Sequence, residues 1–277
     1  MRSLILVLAL TGLPCLAAER VEIPTAGLSS SPEPLVGHLF LPETRPHAAI
    51  VMMHGCGGAY TRSGALNSRH AMWGEYLQSL GYAVLMLDSF TSRGLREICT
   101  VKNAERTIKE ADRVGDAYAA HAYLRERLGI DSKHIGLLGW SHGGGTVLNS
   151  ISRKPANAAP FAAAVAFYPG CRTRAKRADT FHPYAPLIVL IGEADDWTPA
   201  APCKTLIDTV SARGEPASIV VYPGAYHDFD NPTIKARVRT EVPNGARPGE
   251  GVTIAPDPKA REDAKVRVKA FFEKHLE

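Results

Sequence analysis

The stretch LLGWSHGGG, residues 137–145, places one serine among glycines and is the clearest candidate for covalent chemistry in this sequence. Gly139, Ser141 and Gly143 form a G-x-S-x-G pattern, directly after an apolar run and directly before a segment that can start a helix. In that context a serine occupies a strained strand-to-helix turn, where glycines avoid collisions with the neighbouring backbone. A structural glycine corner is the alternative. We predict that Ser141 is a nucleophile.

A serine hydroxyl is a weak nucleophile near neutral pH, so it needs a base and a third group that orients the base. His227 lies in VVYPGAYHDFDNP, where the chain leaves a late apolar run, and we predict that it is the base. His142 directly follows the serine, and its side chain should point away from Ser141, so we expect it to have a backbone or packing role.

The orienting acid is expected between the serine and the histidine in the chain, at the end of a strand. The segment VLIGEADDWTPA supplies Asp195 and Asp196, with Glu193 a weaker candidate. Asp195 is the predicted acid because it falls in the turn just past the strand, while Pro199 opens the next helix. Capping of that helix or exposure to solvent is the alternative role for either aspartate.

Attack on a carbonyl also needs hydrogen-bond donors for the negative charge that develops on its oxygen. HGCGG, residues 54–58, ends the first long apolar run and can offer a backbone N–H group. We predict an oxyanion hole made by the amides of Cys56 and His142. Phosphate binding by these glycines is excluded on spacing, because neither G-K-[ST] nor G-x-G-x-x-G occurs.

Three further residues are candidates for contact with a substrate. Arg93 follows an apolar run in LMLDSFTSRG, Tyr168 follows another in FYPGC, and Trp140 precedes the serine. Ligands of α/β proteins bind at the carboxyl ends of the strands, where such residues gather. For Arg93 we favour a structural ion pair or a loop hydrogen bond over substrate contact, whereas for Tyr168 and Trp140 a structural role is an equal alternative.

Short apolar runs rich in Val, Ile and Leu alternate with longer segments of helical spacing, which indicates buried parallel strands between helices. Strands are predicted at 48–54, 82–89, 134–140, 162–169, 186–192 and 217–224, and helices at 69–81, 107–127, after Ser141, at 201–214 and at 261–277. Two runs near the start should pair as an antiparallel edge. This order predicts an α/β fold with a mostly parallel, doubly wound sheet and helices on both faces. Residues 237–258 are predicted to be an irregular surface loop.

The N-terminus has the layout of a secretory signal peptide, with Arg2, the apolar run LILVLAL and small residues at Ala17 and Ala18. We predict a signal peptide at 1–18, one domain at 19–277 and a secreted or periplasmic protein without stable membrane insertion. Four cysteines remain, and disulfides persist in such compartments. Their pairing stays open among Cys56, Cys99, Cys171 and Cys203.

Composition argues against several other classes of protein. The formal net charge is +4, and basic and aromatic residues do not alternate as they do in single-strand nucleic-acid binders. No CxxC spacing or Cys/His cluster indicates a metal site. We therefore expect no nucleic acid, metal or cofactor, while the oligomeric state stays open.

With these motifs in order, residues 35–277 resemble the dienelactone hydrolase family of the α/β-hydrolase superfamily, particularly its secreted serine-containing relatives. HGCGG, GWSHGG, FYPGC, GEADDWTPA and YHDF are similar to successive landmarks of that family. The resemblance implies an α/β-hydrolase fold, with Ser141, Asp195 and His227 as nucleophile, acid and base. Dienelactone hydrolases proper have a cysteine nucleophile restrained by a glutamate, from which this sequence departs.

The resemblance also implies a secreted serine hydrolase that cleaves a small-molecule carboxylic ester or lactone through an acyl-enzyme, without a cofactor. A peptidase or acyltransferase on the same fold is one alternative. A ligand-binding protein built on an inactive hydrolase fold is the other.

Overall fold

The computed structural model describes residues 18–25, 27–247 and 249–277, and its centre is an eight-stranded sheet. The strands are β1 (Glu19–Ile23), β2 (Leu35–Phe40), β3 (Ala49–Met53), β4 (Ala83–Asp88), β5 (Ile135–Trp140), β6 (Ala163–Phe167), β7 (Leu187–Gly192) and β8 (Ala217–Tyr222). Their order is β1-β2-β4-β3-β5-β6-β7-β8. Strands β3 to β8 are parallel, whereas β2 pairs antiparallel with both β1 and β4. The predicted sheet and its antiparallel edge are confirmed.

The apolar composition of the inner strands follows from their position. Every residue of β3, β4, β5, β6 and β7 is buried, and both faces of each strand are apolar except at Asp88, the last residue of β4. Strand β8 lies at the edge of the sheet and is only partly buried. Such continuous runs had predicted parallel strands covered on both sides.

Among the described residues, six α-helices lie between or after the strands. They are α1 (Ser68–Ser79), α2 (Val114–Leu128), α3 (His142–Ser150), the short α4 (Arg172–Ala175), α5 (Ala200–Ala212) and α6 (Pro258–Leu276). The helix predicted from residue 107 begins only at Val114, because residues 110–113 form a 3-10 turn closed by a hydrogen bond from Lys109 N–H to the Asp112 carboxylate. The helical spacing of the apolar residues gave no sign of this local cap.

Two glycines of β5 show that helices cover both faces of the sheet. A Cβ at Gly136 would lie 2.7 Å from the Phe272 ring of α6, and one at Gly139 would lie 2.9 Å from Val147 of α3. Positions 136 and 139 are an odd number of residues apart, so they point to opposite faces of the strand. Helices α3 and α6 therefore pack on opposite sides, as predicted for a doubly wound fold.

The prediction of an irregular loop at 237–258 was wrong in part. Strand β9 (Arg237–Arg239) pairs antiparallel with β10 (Val252–Ile254), and a bridge joins Ile254 to His227. Val252 and Ile254 are buried in a small apolar cluster with Trp197. The surrounding Pro and Gly obscured the alternating apolar pair Val252 and Ile254, which ties this segment to the site.

Two disulfides settle the pairing that the sequence left open. Cys56 is bonded to Cys99, and Cys171 to Cys203. Residues 1–17 of the predicted signal peptide lie outside the described residues. Within the described ranges, no helix is long and apolar enough to cross a bilayer, and no group of three potential metal ligands occurs.

Candidate active site

Ser141 lies on the turn between β5 and α3, with a backbone conformation that residues other than glycine rarely adopt. Its φ is 53° and its ψ is −114°. Its N–H donates to the Phe167 carbonyl at 2.9 Å, which fixes the turn against β6. A Cβ at Gly143 would come within 2.1 Å of the Met53 carbonyl oxygen, so a side chain there cannot be accommodated. The glycines of the motif are required by this close packing, and backbone strain of this kind is concentrated at functional sites in proteins.

His227 follows β8, and its ring is held by the acid at the end of β7. The distance from His227 Nδ1 to Asp195 Oδ2 is 2.8 Å, and both side chains are buried. Burial opposes the charged imidazolium, but the charge and hydrogen bond of Asp195 outweigh it and raise the pKa of His227 above 6.5. The pair therefore favours a histidine protonated on Nδ1, which leaves Nε2 able to accept a proton.

The two competing aspartates have different partners. Asp195 Oδ1 accepts the N–H groups of Trp197 and Thr198 at 2.9 and 2.7 Å, in addition to the contact of Oδ2 with His227. Asp196 accepts the N–H and hydroxyl of Thr253 on β10, both at 2.7 Å. Asp195 therefore orients the histidine, whereas Asp196 holds the small β9–β10 sheet over the site.

The His227 ring lies between two aromatic rings. Its centroid is 4.5 Å from that of Tyr168 and 4.6 Å from that of Trp197. The Thr198 hydroxyl lies 3.1 Å from Nδ1 and also donates to the Tyr168 carbonyl at 3.0 Å. These contacts restrict rotation of the imidazole. Thr198 was missed in the sequence, where its place just after the aspartates was the only signal.

Ser141 opens onto a cavity of about 290 Å³, which we call the serine cavity. Trp197 and Thr198 line it and also touch His227, so they connect the serine to the histidine. Within the described ranges, no hydrogen bond joins the side chains of Ser141 and His227. Both hydrogen-bond contacts of the His227 side chain are made by Nδ1.

The residues of the predicted oxyanion hole lie together in the serine cavity. Cys56 and His142 both line it beside Ser141. One guanidinium nitrogen, Nη1 of Arg113, donates to the His54 carbonyl at 2.9 Å and to His142 Nδ1 at 3.0 Å. It thereby joins the HGCGG loop to the start of α3. Burial and the adjacent Arg113 hold the pKa of His142 well below 6.5, so that imidazole is neutral and accepts the bond.

This combination of fold and site matches a known family over most of the chain. The model of the dienelactone hydrolase family matches residues 35–276. The chain belongs to the dienelactone hydrolase family. Comparison with the curated proteins gave no match.

Solved structures with the same fold include members of this family and esterases. A candidate dienelactone hydrolase from Klebsiella pneumoniae has a TM-score of 0.69 at 19% identity, covering 93% of this chain and 98% of its own. A dienelactone hydrolase from Anabaena variabilis has a TM-score of 0.63 at 16% identity, covering 94% and 98%. Esterase 2 from Thermogutta terrifontis, in its propionate-bound form, has a TM-score of 0.65 at 17% identity, covering 94% and 95%. The family membership supports a hydrolase with the α/β-hydrolase fold.

Two of the candidate substrate-contact residues, Trp140 and Tyr168, are buried and bind other protein groups. Trp140 has no exposed surface, and its Nε1–H donates to Asp230 Oδ2 at 2.8 Å. Tyr168 is also fully buried; its hydroxyl donates to Asp230 Oδ1 at 2.5 Å and accepts a bond from Arg69 at 2.9 Å. Trp140 therefore packs beneath the site, and Tyr168 supports His227.

The third candidate, Arg93, forms a structural ion pair, which is the role that its sequence context favoured. Its guanidinium donates to both carboxylate oxygens of Asp116, at 2.9 and 2.8 Å, and to the Ser89 carbonyl at 2.6 Å. Arg93 is not among the residues that line the serine cavity. A strand-end position identified the correct edge of the sheet but not the direction of the side chain.

A buried charged network behind His227 was not predicted. Arg69 of α1 forms an ion pair with Asp228, the residue after the histidine, and Asp228 has a φ of 63°. Arg69 holds the pKa of Asp228 below its usual range although burial opposes this. Asp228 and Asp230 in the HDFD segment were a sequence signal for such a network. Their partner Arg69, however, is far away in the sequence. The network fixes the loop that carries His227.

Proposed function

We propose that this protein is a serine hydrolase that cleaves small carboxylic esters or lactones through an acyl-enzyme, with Ser141 as nucleophile, His227 as base and Asp195 as the orienting acid. The observation that carries the proposal is Ser141 on a strained strand-to-helix turn, in a cavity whose walls touch a buried His227–Asp195 pair. Membership of a hydrolase family adds support.

In the first half of the reaction, Ser141 Oγ attacks the carbonyl carbon while His227 Nε2 takes its proton. The imidazolium that forms is stabilised by the carboxylate of Asp195. Collapse of the tetrahedral intermediate breaks the bond to the alcohol oxygen, which leaves with the proton of His227. Water then attacks the acyl-enzyme by the same steps, releasing the acid and restoring the serine.

The amide N–H groups of Cys56 and His142 would bind the oxyanion of each tetrahedral intermediate. Donors of this kind stabilise the transition state most when they are fixed before the reaction begins. The Cys56 carbonyl accepts the Ile98 N–H at 2.8 Å, and the Cys56–Cys99 disulfide ties the same loop to its neighbour. Arg113 links this loop to the start of α3.

The serine cavity supports a small acyl group, because about 290 Å³ is at the low end of the volumes typical of ligand sites. We also propose export to an oxidising compartment, supported by the N-terminal signal pattern and by two disulfides. Identifying Ala18 or a nearby residue as the last one removed, by N-terminal sequencing of the mature protein, would test the cleavage site.

The central test is covalent labelling by a fluorophosphonate probe, followed by stopped-flow hydrolysis of p-nitrophenyl acetate and longer p-nitrophenyl esters. We expect labelling at Ser141 and a burst of nitrophenol equal to the enzyme concentration if deacylation limits turnover. A protein that binds esters but is neither labelled nor catalytic would instead be a binding member of the fold. Faster turnover of a peptide p-nitroanilide than of any ester would favour a peptidase.

The pH profile should report the pKa of His227. Only the neutral imidazole can accept the serine proton, so kcat/KM should rise with pH as His227 loses its own proton. Because Asp195 and Asp228 raise that pKa and outweigh burial and Arg69, the midpoint of this rise should lie above 6.5. The measurement is kcat/KM for an uncharged ester from pH 4 to 9.

A matched control is His182→Gln, which removes an exposed histidine paired with Glu215 on the surface. This variant should keep the midpoint of the parent protein. A midpoint at or below 6.5 in the parent would contradict the assignment of His227 as the base.

Replacing Arg113 should loosen both halves of the oxyanion hole. Burial lowers the pKa of Arg113 to about 10, so the guanidinium stays charged at neutral pH. Arg113→Met removes the contacts to the His54 carbonyl and the His142 ring, and we expect kcat to fall by about 10²-fold, the usual loss for one oxyanion donor. KM should change much less, and Arg113→Lys should recover part of kcat.

Arg93→Met is the matched control, since it also removes a largely buried arginine but one that contacts Asp116 outside the serine cavity. It should lower the melting temperature while keeping kcat within a few-fold of the parent. If both variants lose kcat in proportion to their stability, Arg113 has only a general structural role.

A further inference from the structure

A second and larger cavity, of about 1370 Å³, lies next to the serine cavity. The Cys56–Cys99 disulfide forms part of the boundary, since Cys56 lines the serine cavity and Cys99 lines the larger one. Arg239 also lines the larger cavity, and its guanidinium lies 5.3 Å from the ring centroid of Trp197. The volume exceeds that of most small-molecule sites and suits a ligand of several linked rings.

Five arginines from four separate segments surround this space, which we call the arginine cavity. They are Arg20 on β1, Arg62 in the loop after β3, Arg96 in the loop after β4, and Arg237 and Arg239 on β9. Three carboxylates, of Asp88, Glu97 and Glu241, line the same space, which leaves a net charge of +2 with neutral histidine. Positive charge is thus concentrated here in a chain that is nearly balanced as a whole.

Most of these guanidinium groups have no carboxylate partner. Glu241 pairs with Arg239 at 2.9 Å, and Glu97 accepts the Cys99 and Thr100 N–H groups at 2.7 and 3.2 Å. In the described part of the chain, the other four arginines form no ion pair. Like charges around one cavity repel one another, so an anionic ligand there would relieve this repulsion.

The floor of the arginine cavity offers groups that bind hydroxyls. Asp88 is 1% exposed, and its Oδ2 has no hydrogen-bond partner among the described residues. His38 Nε2 lies 3.0 Å from the Tyr60 hydroxyl, and both residues line the cavity. A buried carboxylate oxygen without a donor is costly, and a ligand O–H group can satisfy it.

We propose that the arginine cavity binds an acidic oligosaccharide, with its sugar carboxylates on the guanidinium groups and its hydroxyls on Asp88 and the His38–Tyr60 pair. Guanidinium groups bind carboxylates through paired hydrogen bonds, which accounts for the arginines. A polyphosphate has no hydroxyl donors for the unpartnered oxygen of Asp88. Only a ligand that carries both carboxylates and hydroxyls matches the whole lining. This inference does not depend on the chemistry of Ser141.

The test is isothermal titration of the mature protein with trigalacturonate, which carries three carboxylates and is not an ester. We expect saturable binding that weakens at least tenfold in the double variant Arg62→Gln/Arg237→Gln. Both side chains are exposed, so the fold should be preserved. Arg45→Gln, which removes an exposed arginine outside the cavity, should bind as the parent does.

Maltotriose, tripolyphosphate and the variant Arg45→Gln distinguish an acidic-sugar site from other kinds of binding. Maltotriose, a neutral trisaccharide, should bind at least tenfold more weakly than trigalacturonate, and equal binding would show that charge is not recognised. Tripolyphosphate binding as tightly as trigalacturonate would show a general anion site and overturn the sugar assignment. No binding of trigalacturonate, or an equal loss in Arg45→Gln, would overturn the site itself.

Discussion

Ser141→Ala is expected to reduce kcat for p-nitrophenyl acetate by at least about 10⁴-fold and to abolish fluorophosphonate labelling. We expect no other group to replace the attacking oxygen, because Ser141 lines the serine cavity together with Cys56 and His142, whose amides are the proposed oxyanion donors. The remaining activity would come from those amides and from general binding. The measurement is steady-state turnover together with mass spectrometry of the labelled protein.

The matched control is Ser150→Ala, at the end of helix α3, which begins directly after Ser141. Ser150 is fully buried, and its hydroxyl has no hydrogen-bond partner among the described residues, so its removal should leave turnover and labelling unchanged. Circular dichroism should show the same fold for the parent and both variants. Equal turnover in the parent and Ser141→Ala would refute the proposed nucleophile.

The second large effect is expected from Asp195→Asn, which should lower kcat by about 10⁴-fold, as is usual when the orienting acid becomes an amide. The N–H groups of Trp197 and Thr198 hold the acceptor oxygen of this side chain, so the new NH₂ group would face His227 Nδ1. That arrangement favours the tautomer with its proton on Nε2, which cannot accept the proton of Ser141. The measurement is kcat at a pH above the acid limb.

The neighbouring substitution Asp196→Asn provides the comparison. Asp196 contacts Thr253 and not the histidine, so we expect a loss of thermal stability in the β9–β10 region and less than about a tenfold change in kcat. A larger loss of kcat in Asp196→Asn than in Asp195→Asn would reverse the assignment of the two acids.

The sequence was sufficient for those features that depend on short-range pattern. Continuous apolar runs identified the buried strands, since both faces of an inner strand must be apolar. The glycines around Ser141 identified the turn, because the packing at Gly139 and Gly143 excludes any side chain. These signals are local, so they can be recognised in the sequence before the fold is known.

Other features could not be decided from the sequence because they depend on which way a side chain turns. Tyr168, Trp140 and Arg93 lie near the ends of strands, yet all three point to protein partners. The β9–β10 sheet was missed because it is short and its buried apolar pair, Val252 and Ile254, packs in a cluster with Trp197, which is distant in the sequence.

By itself, then, the sequence determined the α/β architecture, the family resemblance and a short set of chemical candidates in the right chain order. Only the tertiary structure showed that Asp195 and not Asp196 contacts His227, paired the four cysteines, and joined Arg113 to two loops 29 and 59 residues away from it. The physical reason is that a hydrogen bond or disulfide requires distances and directions between segments. These are set by the packing of the whole sheet and its helices, which no single stretch of sequence specifies.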